Sequence, residues 1–146
     1  MVFELPLDRR KDYVERVVGL PGDSIGVVDG RLFINGEEMA IEELGEIDID
    51  SDDCLTRRVK LQKESVGDAA FSIVRVPDSP NSLDGYWIVP AGELFVMGDN
   101  RDNSADSRTG FTVPLDHVKG KATRIHLSWD SCRSTLRWDR FWLQVR

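Results

Sequence analysis

Turn signals divide the first third of the chain into short runs of β-forming residues. Residues 13–18 end at the Gly/Pro-rich turn 19–23, and Asp29-Gly30 separates residues 24–28 from residues 31–34. Asp-Gly between two such runs is a strong signal for a tight hairpin. These runs are too short for stable helices, so the pattern predicts a mainly β fold of antiparallel sheets.

The same pattern continues through the second half of the chain. Residues 55–61, 71–76, 86–89 and 94–97 read as further strands, and residues 121–129 suggest one last core strand. A chain of 146 residues is long enough to bury a proper core. We therefore expect a single domain over residues 1–146.

The charge balance argues against one class of partner. The chain has 19 Lys and Arg against 26 Asp and Glu, a net charge of −7, and a nucleic-acid-binding surface would be basic. No apolar run approaches the roughly 18 residues of a membrane span, and residues 1–16 lack the apolar centre of a signal peptide. We expect a chain without a membrane span that does not bind nucleic acid.

Much of the acidity is local, because residues 37–53 hold nine acidic side chains and no basic one. This composition favours a solvated, mobile loop or insertion, and an acidic docking site is the alternative.

The two cysteines, Cys54 and Cys132, have no metal-binding spacing around them. We interpret them as buried free thiols, with a single disulfide as the alternative in an oxidising compartment.

Aromatic residues mark the C-terminal tail. Trp138, Phe141, Trp142 and Val145 are spaced as one face of a helix, and arginines surround them. We expect a short helical or irregular tail, which could lie on an anionic membrane surface or cap the domain core.

The most unusual stretch is residues 98–108, Gly-Asp-Asn-Arg-Asp-Asn-Ser-Ala-Asp-Ser-Arg, which we call the box loop. Its complementary charged and polar groups predict a rigid hydrogen-bonded network. An EF-hand calcium loop does not fit, because Ala105 and Phe111 occupy the positions that require glycine and a carboxylate. Another calcium geometry stays open, but we predict no metal and no cofactor.

The box loop and residues 109–114 closely resemble a conserved box of the bacterial type I signal peptidases. Residues 16–23, Arg-Val-Val-Gly-Leu-Pro-Gly-Asp, resemble a second box of that family, and Val2-Phe3 with Pro6 resembles the strand before it. Val89-Pro90, Gly92 and residues 120–122 match typical flanks. The resemblance covers about residues 1–38 and 85–128. Residues 39–84 look like a variable β insertion, and the tail, 129–146, shows no match.

The resemblance implies a β-rich serine endopeptidase that uses a Ser/Lys dyad and no cofactor. Members remove signal peptides from exported preproteins after small residues. They are anchored in the bacterial cytoplasmic membrane, with the catalytic domain on the extracytoplasmic face. Signal peptides and the membrane surface are therefore the expected partners.

Two features depart from that family. Glu15 occupies the position of the catalytic lysine, and burial should raise the pKa of a glutamate and keep it protonated. Lys11 lies about 13 Å away along an extended strand, too far to replace the lysine. The nucleophile's Ser-Met-x-Pro motif is also absent, since no methionine here follows a serine. We expect an N-terminally truncated, inactive domain; a non-catalytic paralogue that binds peptides by strand addition is the alternative.

The supporting residues of the family site remain in the sequence. By resemblance Ser104 matches the serine that bonds the lysine, and Arg16 matches the arginine that pairs with Asp99. Asp106 and Arg108 match further ion-pair residues, and we interpret the whole set mainly as holding the fold. Glu15 could instead be an exposed strand residue paired with an arginine. We do not expect His117 or His126 to be catalytic, because no nucleophile motif accompanies them.

Overall fold

The computed structural model describes residues 1–51, 53–77, 79 and 83–145. Asp52 of the acidic segment and Arg146 of the tail lie outside this part of the chain. The described residues form fifteen strands and three short 3₁₀ helices. The strands are β1 Val2–Leu5, β2 Asp8–Val14, β3 Arg16–Gly19, β4 Ser24–Val28, β5 Arg31–Ile34, β6 Glu37–Glu38, β7 Ile41–Asp50, β8 Thr56–Val66, β9 Ala69–Arg75, β10 Gly85–Ile88, β11 Glu93–Met97, β12 Val113–Pro114, β13 Val118–Gly120, β14 Trp129–Asp130 and β15 Thr135–Leu136. The 3₁₀ helices are Ser107–Thr109, Leu115–His117 and Trp138–Arg140.

These strands form several small antiparallel sheets, which confirms the predicted fold class. Their orders are β13-β1-β2, β10-β4-β5-β6, β12-β11-β3, β7-β8-β9 and β14-β15. The Asp29-Gly30 hairpin joins β4 to β5 as expected, with Val28 opposite Arg31. Both turn residues have positive φ, the conformation that matches the twist of a two-residue hairpin.

The strand β11 separates two hydrophobic cores. Phe95 and Met97 pack into a core with Val18, whereas Leu94 and Val96 pack into a second core with Phe3. Side chains of a strand alternate between its faces, so an unbroken apolar run fits a strand that is buried on both sides. The end of this rigid strand carries the box loop.

The expected strand over residues 13–18 is divided at Glu15. Val14 ends β2, which pairs with β1, whereas Arg16 begins β3, which pairs with β11. Glu15 donates its backbone N–H to the Met1 carbonyl, 3.1 Å away, at the point where the chain changes sheets. This change places Glu15 beside the start of the box loop.

The acidic segment is not the predicted mobile loop, because residues 41–50 form the strand β7. The facing strand β8 supplies the compensating charge. Lys63 lies opposite Glu42 and binds it at 3.0 Å, and Arg58 lies opposite Asp48 and binds it at 3.0 Å. Opposite charges directly across an antiparallel pair stabilise the pairing, so the strand forms despite its composition.

The expected last core strand is wrong, and the tail takes the irregular form, one of the two forms expected for it. Residues 121–128 form no strand beyond an isolated bridge between Arg124 and Gln144, and the tail forms no helix beyond the short turn Trp138–Arg140. The two segments bond to each other instead, through Ile125 N–H to the Leu143 carbonyl and Val145 N–H to the Thr123 carbonyl. A single group of four residues at helical spacing is too short to offset the unfavourable free energy of helix nucleation.

The tail aromatics do not cap the core, because Trp138 is 72% exposed and Trp142 is 54% exposed. No helix in the described ranges has the length and apolar character needed to cross a bilayer.

The interpretation of Cys54 and Cys132 as free thiols is also wrong, because they form a disulfide with a Cα–Cα distance of 5.3 Å. The bond joins the turn between β7 and β8 to the turn between β14 and β15. Arg133 reinforces this junction through ion pairs with Asp50 at 3.1 Å and Asp130 at 2.9 Å.

Candidate active site

Glu15 directly precedes β3, and Ser104 lies in the box loop that follows β11. The side chains of these two residues meet. The Ser104 hydroxyl donates a hydrogen bond to Glu15 Oε1 at 3.2 Å, and both residues are partly buried. The alternative of an exposed Glu15 paired with an arginine is therefore wrong. The pair joins two positions that lie 89 residues apart in the sequence.

Gly98 makes this contact possible. A Cβ atom at position 98 would stand 2.5 Å from Ser104 Cβ and 3.0 Å from Glu15 Oε2. Real Cβ atoms do not approach other atoms so closely, so a side chain here would separate Glu15 from Ser104. Position 98 requires glycine because Ser104 and Glu15 lie so close to it, and not because of its backbone conformation.

Asp106 and Arg108 form the buried centre of the box loop. Asp106 accepts hydrogen bonds from the Gly98 N–H at 2.9 Å and from Arg108 Nε at 2.9 Å and Nη2 at 2.7 Å. Arg108 Nη2 also donates to the Arg101 carbonyl at 2.6 Å. The Asp106–Arg108 ion pair also forms hydrogen bonds with backbone groups, and such a network holds a loop in one conformation. The sequence predicted a network of this kind for the box loop.

Arg16 and Asp99 form a second, more exposed pair at the edge of the site. Arg16 Nε and Nη2 donate to the two carboxylate oxygens of Asp99 at 2.8 and 2.9 Å. The guanidinium also lies over the ring of Phe71, with Cζ 3.8 Å from the ring centroid.

The electrostatic surroundings raise the pKa of Glu15 to about 7. Burial is the larger cause, and the negative charge of the neighbouring Asp106 adds to it. The direction agrees with the sequence-based expectation, but Glu15 changes charge near neutral pH instead of staying protonated throughout.

A cavity of about 560 Å³ opens beside Glu15. Glu15, Arg16, Asp99 and Lys121 contribute its polar side, and small apolar residues form much of the remaining wall. These include Val14, Val17, Val118 and Ala122. A pocket of this size with a few polar groups at one side has the form of a small-ligand or peptide subsite.

Comparison with known proteins identifies the family to which this arrangement belongs. The family model "Signal peptidase, peptidase S26" matches residues 1–127. The chain belongs to the signal peptidase family. Signal peptidase I of Pseudomonas fluorescens is 39% identical over 142 residues, covering 88% of this chain and 48% of the relative.

Other signal peptidases give the same result. Signal peptidase I of Pseudomonas aeruginosa is 37% identical over 142 residues, covering 88% of this chain and 48% of the relative. Signal peptidase I of Rickettsia typhi is 35% identical over 147 residues, covering 95% of this chain and 53% of the relative. The chain thus spans about half the length of the curated relatives it matches.

The structure brings the six residues singled out by the resemblance into one region: Glu15, which directly precedes the first box, and the box residues Arg16, Asp99, Ser104, Asp106 and Arg108. The two histidines lie in other surroundings. His117 Nδ1 lies 3.3 Å from the Glu4 carbonyl, and His126 packs against Phe141 and Trp142. Lys11 forms an ion pair with Asp8 at 3.6 Å.

Sequence reasoning missed the contribution of β8 and β9 to the candidate site. Glu64 on β8 and Phe71 on β9 both contact residues of the matched boxes. Alternation along β8 did not indicate that Glu64 points inward, because the apolar residues Val59 and Leu61 lie on the opposite face of a regular strand. Nothing in the sequence indicated the contact of Phe71 with Arg16.

Proposed function

We propose that this chain is a signal-peptidase-type catalytic domain without a working Ser/Lys dyad, and that it does not hydrolyse signal peptides. Its relatives act at the signal peptides of exported preproteins, and the same peptides are the ligands that we assign to its cavity. The observation that carries the proposal is Glu15, which stands at the position that the family resemblance gives to the lysine base.

The chemistry depends on what Glu15 can reach. A lysine in this surrounding would lose its charge on burial and accept the proton of a serine nucleophile. Glu15 titrates near pH 7, so its ionised form exists at neutral pH, but the hydroxyl that it contacts is Ser104. By resemblance Ser104 is a supporting serine and not the nucleophile.

A cleavage assay tests this proposal. The protein is incubated with a fluorogenic signal-peptide substrate that has small residues before the scissile bond, from pH 6 to pH 9. Signal peptidase I of Pseudomonas fluorescens serves as the positive control. We expect no turnover at any pH. Turnover that is lost in Ser104→Ala would identify Glu15 and Ser104 as a dyad, whereas turnover that survives this change would place the chemistry elsewhere; either result refutes the proposal.

We also propose that the exposed aromatic tail lies against the membrane on the extracytoplasmic side. Trp138 and Trp142 are exposed beside Arg140, and aromatic rings with basic neighbours favour the interface of an anionic bilayer. The disulfide between Cys54 and Cys132 supports an oxidising location.

Vesicle co-sedimentation tests the membrane contact. Binding to vesicles with anionic lipid should fall in Trp138→Ser/Trp142→Ser and should persist in Leu115→Ser, a matched change at another exposed apolar residue. Equal binding of the double variant and the unchanged protein would refute the contact.

A further inference from the structure

The sheet β7-β8-β9, which we call the insertion sheet, is joined to the start of the box loop by backbone hydrogen bonds. Val74 N–H donates to the Asp99 carbonyl at 2.9 Å, and Arg101 N–H donates to the Val74 carbonyl at 3.1 Å. Val76 N–H donates to Asp102 Oδ2 at 2.8 Å. Through these bonds residues 99–102 pair with the end of β9, so hydrogen bonds join the box loop directly to the insertion sheet.

A buried ion pair joins the same two units. Arg101 Nη1 donates to Glu64 Oε1 at 2.7 Å, and Arg101 Nη2 binds Glu64 Oε2. The side chains are 1% and 0% exposed. Removal of one partner would leave a buried charge without compensation, so the pair tolerates only the observed alignment of β8 and the loop.

Phe71 supports the edge of the site. Its ring covers one face of the Arg16 guanidinium, while Asp99 takes two of the guanidinium N–H groups in its plane. The guanidinium therefore has one preferred orientation, because the Phe71 ring contacts its face and the Asp99 carboxylate binds its N–H groups. Arg16 and Asp99 both line the cavity beside Glu15.

We propose that Phe71 and Glu64 are positioning residues of the site. Phe71 fixes the orientation of Arg16, and Glu64 fixes the box loop through Arg101. The insertion sheet is then part of the site's construction, although residues 39–84 resemble a variable segment. This inference concerns geometry alone, so it holds or fails separately from the proposed lack of hydrolysis.

The first test uses the NMR signal of the Arg16 side-chain Nε–Hε group. The Phe71 ring shields protons above its face, so this signal should lie upfield. Phe71→Leu keeps an apolar side chain and removes the ring, and we expect the upfield shift to disappear. Phe71→Tyr keeps the ring, and we expect it to preserve the shift. Phe111→Leu is a matched control, since Phe111 is 8% exposed and Phe71 is 6% exposed.

The titration midpoint of the Glu15 carboxyl gives a second readout that general loss of stability would not move. Phe71→Leu should raise it, because a displaced Arg16 leaves the charge of Asp99 less compensated near Glu15. Phe71→Tyr and Phe111→Leu should leave it in place. If Phe71→Leu lowers the melting temperature as Phe111→Leu does but leaves the Arg16 signal and the Glu15 midpoint unchanged, Phe71 is only a core residue and the proposal fails.

Amide hydrogen exchange tests Glu64. In Glu64→Gln we expect exchange of the Arg101 amide to accelerate by about tenfold or more relative to amides of β4 and β11. If that variant does not fold, Glu64→Leu/Arg101→Met removes both charges together. Slow Arg101 exchange in a folded variant without the pair would overturn the role of Glu64.

Discussion

The stability of the protein should depend on the charge of Glu15, and Glu15→Gln isolates that dependence. Glutamine keeps an oxygen that can accept the hydrogen bond of Ser104 and never ionises. In the folded protein, burial and the charge of Asp106 raise the pKa of Glu15 from 4.5 to about 7. The folded state therefore binds a proton that the unfolded state releases at the same pH, and stability falls as the pH rises between these values.

The size of the effect follows from the two pKa values. At 1.36 kcal/mol per pH unit, a rise from 4.5 to about 7 corresponds to at most about 3.4 kcal/mol. Because Glu15 is only partly buried, solvent screens its charge, and about 2 kcal/mol is the better expectation. The penalty is absent below pH 4.5, grows up to pH 7 and is complete above it. For a chain of this length it corresponds to about 4–8 °C in melting temperature.

Urea denaturation of both proteins from pH 4 to pH 8 measures this penalty. We expect the free energy of unfolding of Glu15→Gln to rise by about 2 kcal/mol relative to the unchanged protein across this range. The exposed Glu37→Gln removes a surface charge and records the effect of net charge alone. A constant difference between the Glu15→Gln variant and the unchanged protein would refute the electrostatic account of Glu15.

Three further predictions concern the supports of the site. Gly98→Ala should destabilise the protein by about 1–3 kcal/mol because the new methyl group meets Ser104, and Ser104→Gly should relieve part of that loss; additive losses in urea denaturation would contradict the close-approach argument. Asp106→Asn should cost about 3–5 kcal/mol by leaving Arg108 buried without its partner, and a midpoint of urea unfolding equal to that of the unchanged protein would exclude this role. Replacement of Cys54 and Cys132 by alanine should cost about 4.5 kcal/mol for a cross-link spanning 78 residues, and thermal unfolding that is equal with and without reductant would show that the disulfide contributes nothing.

The parts of the fold set by local signals could be predicted from the sequence. Asp29-Gly30 specifies a hairpin through its backbone conformation, and the apolar run of β11 specifies a strand buried on both faces. The box loop was predictable for a different reason, since its charges are complementary within a few residues. Each of these signals is contained in one short stretch of chain.

The errors arose where distant residues decide the structure. The acidic segment becomes β7 because bases on β8 neutralise it across the strand pair, and composition within the segment does not show that partner. The tail spacing fits a helix, but hydrogen bonds to residues 123–125 take its backbone groups. The pairing of Cys54 with Cys132 likewise depends on two turns that only the tertiary structure brings together.

The candidate site shows the same division. Five of its six residues were predictable because they lie within two recognisable stretches, and Glu15 directly precedes one of them. The Arg16–Asp99 pair is present in the structure. Phe71 and Glu64 were not predictable, because their partners lie 55 and 37 residues away and ordinary strand residues give no sign of such contacts.

A site that carries Glu15 in place of the lysine base should not hydrolyse signal peptides. Mass spectrometry of a signal peptide incubated with the protein at pH 8, where Glu15 is mainly ionised, measures this with high sensitivity. We predict that the peptide stays intact while the Pseudomonas fluorescens signal peptidase I cleaves it. A product cut after the small residue and formed by this protein would contradict the proposed lack of hydrolysis, and loss of that product in Glu15→Gln would make Glu15 part of the chemistry.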